Sequence, residues 1–143
     1  VIFKNDIFYI ESENLIKERF DEYFQTLDET IKILSGKGNK IILLRPIPKP
    51  GVNLRMYHFV NKKYIDLDYN SFKTFNEKTQ PIIDKLDYQD LIVLNLDSVF
   101  CDSSICRFYS DDEYFYVDDA HLGHYGATKV ASFIMNEINN IDN

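Results

Sequence analysis

Apolar residues recur early in the chain at Leu15, Ile16, Phe20, Tyr23, Phe24, Leu27, Ile31 and Leu34. Steps of three and four place them on one face, so the spacing predicts an amphipathic helix over residues 12–35. Ser12 is positioned to cap its start, and Gly36 and Gly38 to stop it. The pattern then changes. Residues 40–45 contain Ile-Ile-Leu-Leu, and residues 91–96 read Leu-Ile-Val-Leu-Asn-Leu. Short, wholly apolar runs suit parallel strands covered on both faces. Residues 1–3, Val-Ile-Phe, read as the end of a further strand. Pro46, Pro48 and Pro50 close the first of these runs and hold the chain extended.

Residues 51–70 read as irregular. A second helix is predicted over residues 71–86, with Phe72, Phe75, Thr79, Ile82, Ile83 and Leu86 on one face and a kink or break at Pro81. Residues 97–119 read as a long loop. A last helix over residues 124–139 is expected to bury Ala127, Val130, Ala131, Ile134 and Ile138. Strands alternating with helices predict a parallel α/β domain with right-handed crossovers. In such sheets, sites form beyond the carboxyl ends of the strands.

Length and composition narrow the class. The 143 residues suit one domain, and 45% are hydrophobic, enough for a core. The net charge is -7 and the Lys and Arg residues are scattered without a basic run, which argues against nucleic acid as a partner. No apolar run approaches the ~20 residues of a membrane span, and no signal peptide is evident. The chain opens in mid-strand on Val1, so it reads as the C-terminal piece of a longer protein.

The chemistry concentrates at Asp118-Asp119-Ala120-His121-Leu122-Gly123-His124. A carboxylate three residues before a histidine, on a tight turn at a helix entrance, can hold one ring nitrogen. The other is then free to take a proton from a nucleophile. His121 is therefore the candidate general base and Asp118 its orienter, the acid–base half of a Ser-His-Asp triad. The bland alternative is a histidine beside a helix start with acidic neighbours. Asp119 is the second choice of orienter, and its spacing suits an outward or capping role better. His124 and His58 read as surface or loop histidines, and the three histidines make no ligand set.

No serine lies in Gly-x-Ser-x-Gly or Gly-Asp-Ser. Ser98 follows a strand but lacks the glycine of a sharp elbow. Cys101 is a conceivable thiol nucleophile without a basic neighbour to lower its pKa. Cys101 and Cys106 have neither zinc-site nor Cys-x-x-Cys spacing. A short local disulfide is favoured over two unpaired thiols, and it implies an oxidising compartment.

The run Val117-Asp118-Asp119-Ala120-His121-Leu122-Gly123, then Gly126-Ala127, resembles the last signature block of SGNH hydrolases. It is especially similar to the C-terminal SGNH domains fused to multi-pass membrane acyltransferases of the acyltransferase-three family. Those domains show Asp-Asp-x-His-Leu-Ser-x-x-Gly-Ala after a pair of cysteines, with a proline-terminated apolar strand and a long amphipathic helix upstream. The likeness covers most of the chain in order, and Gly123 departs from it by replacing the serine.

The resemblance implies a flavodoxin-like three-layer α/β/α fold with a parallel sheet, of which this chain is the C-terminal part. It implies His121 as base and Asp118 as orienter. The nucleophile and glycine blocks of such domains would precede Val1. Asn5, in Phe3-Lys4-Asn5-Asp6, stands near the place of an oxyanion asparagine but without its glycine. The implied activity is O-acyl transfer, in particular O-acetyl, to hydroxyls of cell-surface glycans, without metal or organic cofactor. The implied location is the periplasmic or extracellular face of the bacterial cytoplasmic membrane. The implied partners are an acyl donor, a glycan acceptor, the N-terminal half of the same domain and a fused membrane acyltransferase domain. A secreted SGNH carbohydrate esterase is one alternative. A non-catalytic α/β domain that binds glycan or a partner is the other.

Overall fold

The computed structural model describes residues 13–77 and 80–141. The strand expected at residues 1–3, the Ser12 cap and Asn5 lie outside them. The chain divides into two compact units, one formed by Val1–Ile41 with Ile82–Leu91, the other by Ile42–Pro81 with Ile92–Asn143.

In the first unit, helix α1 spans Glu13–Ser35. Ile31 is buried, while Tyr23 and Leu34 are exposed despite their place in the apolar spacing. Asn39 ties off its end by donating from Nδ2 to the Leu34 carbonyl at 2.9 Å. Tyr88 binds its flank, its hydroxyl donating to Asp28 Oδ1 at 2.7 Å.

Strands β1, Ile41–Leu44, and β3, Leu91–Leu94, are hydrogen-bonded neighbours. Ile41 N–H donates to the Asp90 carbonyl at 2.8 Å and Arg45 N–H to that of Leu94 at 3.0 Å. Both partners advance together along the chain, so the pair is parallel, as the apolar runs predict. Full cover on both faces is not reached. Only Leu94 of the eight residues is buried, and Leu44 is 42% exposed.

The second unit contains elements that the apolar pattern leaves unread. Within the stretch expected to be irregular, helix α2 spans Leu54–Asn61. Asn53 starts it, accepting from Met56 N–H at 3.0 Å, and Lys62 ends it in the left-handed region at φ 53°. Strand β2, Asp66–Asp68, follows. Asp68 Oδ2 accepts from Ser71 N–H at 2.7 Å, so helix α3 starts at Tyr69, ahead of the expected Ser71. α3 is described as far as Glu77, and a short helix, α4, spans Gln80–Ile83 with Pro81 as its second residue; the intervening residues 78–79 lie outside the described residues.

The expected loop over residues 97–119 is also structured. It holds the short helix α5, Asp97–Phe100, and strands β4, Ile105–Arg107, β5, Tyr109–Ser110, and β6, Glu113–Tyr114. β2 pairs antiparallel with β4, in register Leu67 to Cys106, and β5 pairs antiparallel with β6. Strands of two and three residues are too short to display a period of two. Leu54, Phe100, Phe108, Phe115 and Tyr116 form the core of this unit.

Helix α6, His124–Ile141, closes the unit. Gly126 is its buried residue, and Val130, Ile134 and Ile138 are half-buried in line with it. Ala127 and Ala131 are exposed, against expectation. The close approach is made at Gly126, and that turns the residues one step further on toward solvent.

Candidate active site

Four rings pack beneath the chain that leads into Asp118 and His121. Phe115 meets Phe100 edge-on at 5.7 Å between centroids, and Tyr116 meets Phe108 at 5.7 Å. The Tyr116 hydroxyl donates to the Pro48 carbonyl, and burial pushes its pKa up. From this floor the chain leaves as a narrow loop and returns. Val117 N–H donates to the His121 carbonyl at 2.9 Å, and Gly123 N–H to that of Phe115 at 2.8 Å. Gly51 N–H donates to the Asp119 carbonyl at 3.1 Å and fastens the loop on its other side.

Within the loop, Asp118 makes three short bonds. Oδ1 accepts from the N–H groups of Ala120 at 2.9 Å and His121 at 2.7 Å. Oδ2 lies 2.8 Å from His121 Nδ1. The two backbone donors and then the ring lower the Asp118 pKa to about 2. The carboxylate is therefore ionised at neutral pH and can only accept, so Nδ1 carries the proton. Nε2 is then the ring nitrogen left available to take a proton. The His121 side chain is 80% exposed, so this nitrogen is reachable.

The structure thus brings together Asp118 and His121, the pair expected from the sequence. Asp119 contributes a backbone carbonyl to Gly51 and does not displace Asp118 from the ring. The carbonyl of Gly123, not a side chain, accepts the first helical bond of α6, from Ala127 N–H at 2.8 Å. His124 is exposed in the first turn of α6. His58 packs in an aromatic group, with Nδ1 2.6 Å from the Tyr114 hydroxyl and its ring 4.2 Å from that of Tyr64. No group of three potential metal ligands occurs among the described residues. Asn5 lies outside them.

Cys101 and Cys106 form a disulfide, so Cys101 carries no thiolate. The turn they close is held by Asp102, whose Oδ1 accepts from Ser104 N–H at 2.8 Å and Ile105 N–H at 2.9 Å. Its Oδ2 accepts from Arg107 at 2.8 Å. Those bonds, Ile105 N–H first, hold the Asp102 carboxyl well below the usual range. Ser98 lines a cavity of about 550 Å³ with Tyr69, Asn95, Asp97 and Ser103, near the carboxyl end of β3. Tyr69 and Asn95 donate to Asp97 Oδ2 at 3.1 and 3.2 Å. Neither Asp118 nor His121 lines it.

The tie from Tyr116 to Pro48 and the tie from Gly51 to Asp119 were not legible in the sequence. Each joins positions 68 residues apart, and the proline run was the only local hint of a fixed segment there.

An aspartate-held, exposed histidine just ahead of the last helix has the geometry of the acid–base half of a Ser-His-Asp triad. Residues 3–136 match the family model described as "SGNH domain (fused to AT3 domains)", and the chain belongs to that family, one of hydrolases and acyltransferases. Neither the curated proteins nor the solved structures include a match to this chain.

Proposed function

We propose that this domain transfers an acyl group, in particular acetyl, to hydroxyls of cell-surface glycans. The observation that carries the reading is the Asp118–His121 pair, 2.8 Å apart, with Nε2 left open. A serine supplied upstream of this chain attacks the acyl donor while Nε2 takes its proton. The tetrahedral oxyanion is held by backbone N–H groups and an asparagine, for which Asn5 is the candidate. His121 then protonates the leaving group, and the acyl-serine remains. A sugar hydroxyl attacks that ester, Nε2 takes its proton, and the proton returns to the serine. Asp118 keeps the ring in one tautomer and stabilises the imidazolium between steps. No step requires a metal or organic cofactor.

On this reading, the chain is the C-terminal portion of a single SGNH domain, and the N-terminal portion covers the exposed His121. A fused membrane acyltransferase domain delivers the acyl group. The Cys101–Cys106 disulfide supports an oxidising location, at the periplasmic or extracellular face of the cytoplasmic membrane.

The test is an assay of the intact protein with an acyl donor and a glycan acceptor, comparing wild type with His121→Ala and Asp118→Asn. Acylated glycan that disappears in both variants supports the reading. Release of free acid with no acylated glycan would make the protein an esterase with the same site. Unchanged turnover in both variants would leave the domain a binding module.

A further inference from the structure

Helix α2 carries apolar side chains on two faces. Leu54 points into the core, where it is 4% exposed. On the other side Met56, Phe59 and Val60 are 60%, 71% and 67% exposed, and Phe59 and Val60 are the two most exposed large hydrophobics among the described residues. Their spacing of i, i+3 and i+4 makes them one stripe. An exposed apolar stripe on a helix whose other face is already packed in the core marks an interaction surface.

The charge around the stripe suggests what covers it. Lys62 and Lys63 follow the helix and Arg55 stands in its first turn. Lys62 Nζ lies 4.8 Å from the Phe59 ring centroid, so cation and apolar group share one surface. Residues 42–65 contain five Lys or Arg and no Asp or Glu, in a chain of net charge -7. The cations are too dispersed to form a run. The segment is basic because the carboxylates are missing from it.

We infer that the Met56-Phe59-Val60 face of α2, rimmed by Arg55, Lys62 and Lys63, docks on an anionic lipid surface. Phe, Met and Val enter the headgroup boundary, and the lysines pair with lipid phosphates. The chain supplies a reason for the placement. Gly51, two residues before the Asn53 cap, is bonded to the Asp119 carbonyl in the loop that carries His121. Docking by α2 therefore sets the catalytic loop beside the membrane. This purpose, though not the docking itself, rests on the acyl-transfer reading.

The experiment uses the intact protein with an environment-sensitive fluorophore on Phe59→Cys, or on Met135→Cys of exposed α6 as control. Both cysteines of this chain are bonded, so within it the new thiol is the labelling site, and any cysteine elsewhere in the intact protein is replaced by serine beforehand. The protein is mixed with, or reconstituted in, vesicles of phosphatidylcholine with phosphatidylglycerol, or of phosphatidylcholine alone, each carrying nitroxide lipids. The label at 59 should be quenched with the anionic lipid and that at 135 should not. K62Q/K63Q should weaken the anionic-vesicle interaction about thirty-fold, at roughly 1 kcal/mol per cation. Equal quenching at the two positions overturns the proposal, as does quenching indifferent to phosphatidylglycerol. A blue-shifted but unquenched label at 59 also overturns it, because a protein then covers the face. The readout contains no turnover, so failure of lipid docking and failure of acyl transfer are seen separately.

Discussion

Gly126 stands so close to Phe115 that a Cβ on it would lie 2.2 Å from the Phe115 carbonyl oxygen and 2.9 Å from the carbonyl carbon. The same oxygen accepts the Gly123 N–H that closes the His121 loop. One backbone group thus serves both as the floor for α6 and as the anchor of the His121 turn.

Gly126→Ala should therefore destabilise the domain even though alanine is the better helix former. Helix propensity favours alanine by about 1 kcal/mol. The clash is with backbone, which cannot rotate away, and overpacking of this kind costs about 1–3 kcal/mol or more. A net loss of about 1–2 kcal/mol, toward the upper end because the clash is with backbone, is expected by urea denaturation of the intact protein. The His121 loop should loosen with it, seen as faster hydrogen exchange at Gly123. A variant as stable as wild type would place α6 further from Phe115.

Asp118 gives a pH signature. Its folded pKa of about 2 is below the ordinary 3.8, so the ionised carboxylate stabilises the folded loop. That contribution is present in full above the unfolded value and is lost as pH falls from about 4 through 2. The amide proton shifts of Ala120 and His121 report it directly, since both N–H groups donate to Oδ1. Their titration midpoint should fall near pH 2, and a midpoint near 4 would contradict the bonding. Asp118→Asn should cost about 10⁴ in kcat, since the amide no longer holds the imidazole in its working tautomer.

How much of this was legible depends on how far apart the partners are. Asp118 and His121 are three residues apart, and their contact is settled by one turn of chain. α1 and α6 are long enough to display a helical period, and β1 and β3 stand out as wholly apolar runs, so the pattern places them. α2 begins on an Asn53 cap, yet its apolar residues fall on two faces, which blurs the helical stripe. β5 and β6 have two residues each and are visible only through their pairing. The floor of the site is long-range throughout, since nothing near Pro48 announces Tyr116. The burial of Gly126 in place of Ala127 was set by a backbone contact, to which side-chain hydropathy is blind.

The disulfide should be a modest stabiliser. It closes a loop with a sequence separation of 5, and Cys106 is fully buried. Closing so short a loop constrains the unfolded chain by about 2 kcal/mol in the entropic description. Replacing both cysteines with alanine should lower the urea midpoint accordingly with little change in slope. The turn should survive, because Asp102 still gathers Ser104, Ile105 and Arg107. An unchanged midpoint would show that the Asp102 bonds alone hold the turn.

Ser98 is the serine whose position tests where the nucleophile lies. It lines the cavity with Tyr69 and Asp97, near the carboxyl end of β3, where α/β enzymes place their chemistry. Yet it occupies the first turn of the four-residue α5, without a glycine to form an elbow. If the nucleophile is upstream, Ser98→Ala in the intact protein should retain activity within about threefold, under the usual size of such surface effects. His121→Ala should lose on the order of 10⁶ in kcat, the usual scale for a triad base. Residues 1–143 expressed alone should give no His121-dependent hydrolysis of p-nitrophenyl acetate. Turnover by that fragment, abolished by His121→Ala and Ser98→Ala alike, would move the nucleophile into this chain and make Ser98 the attacking group.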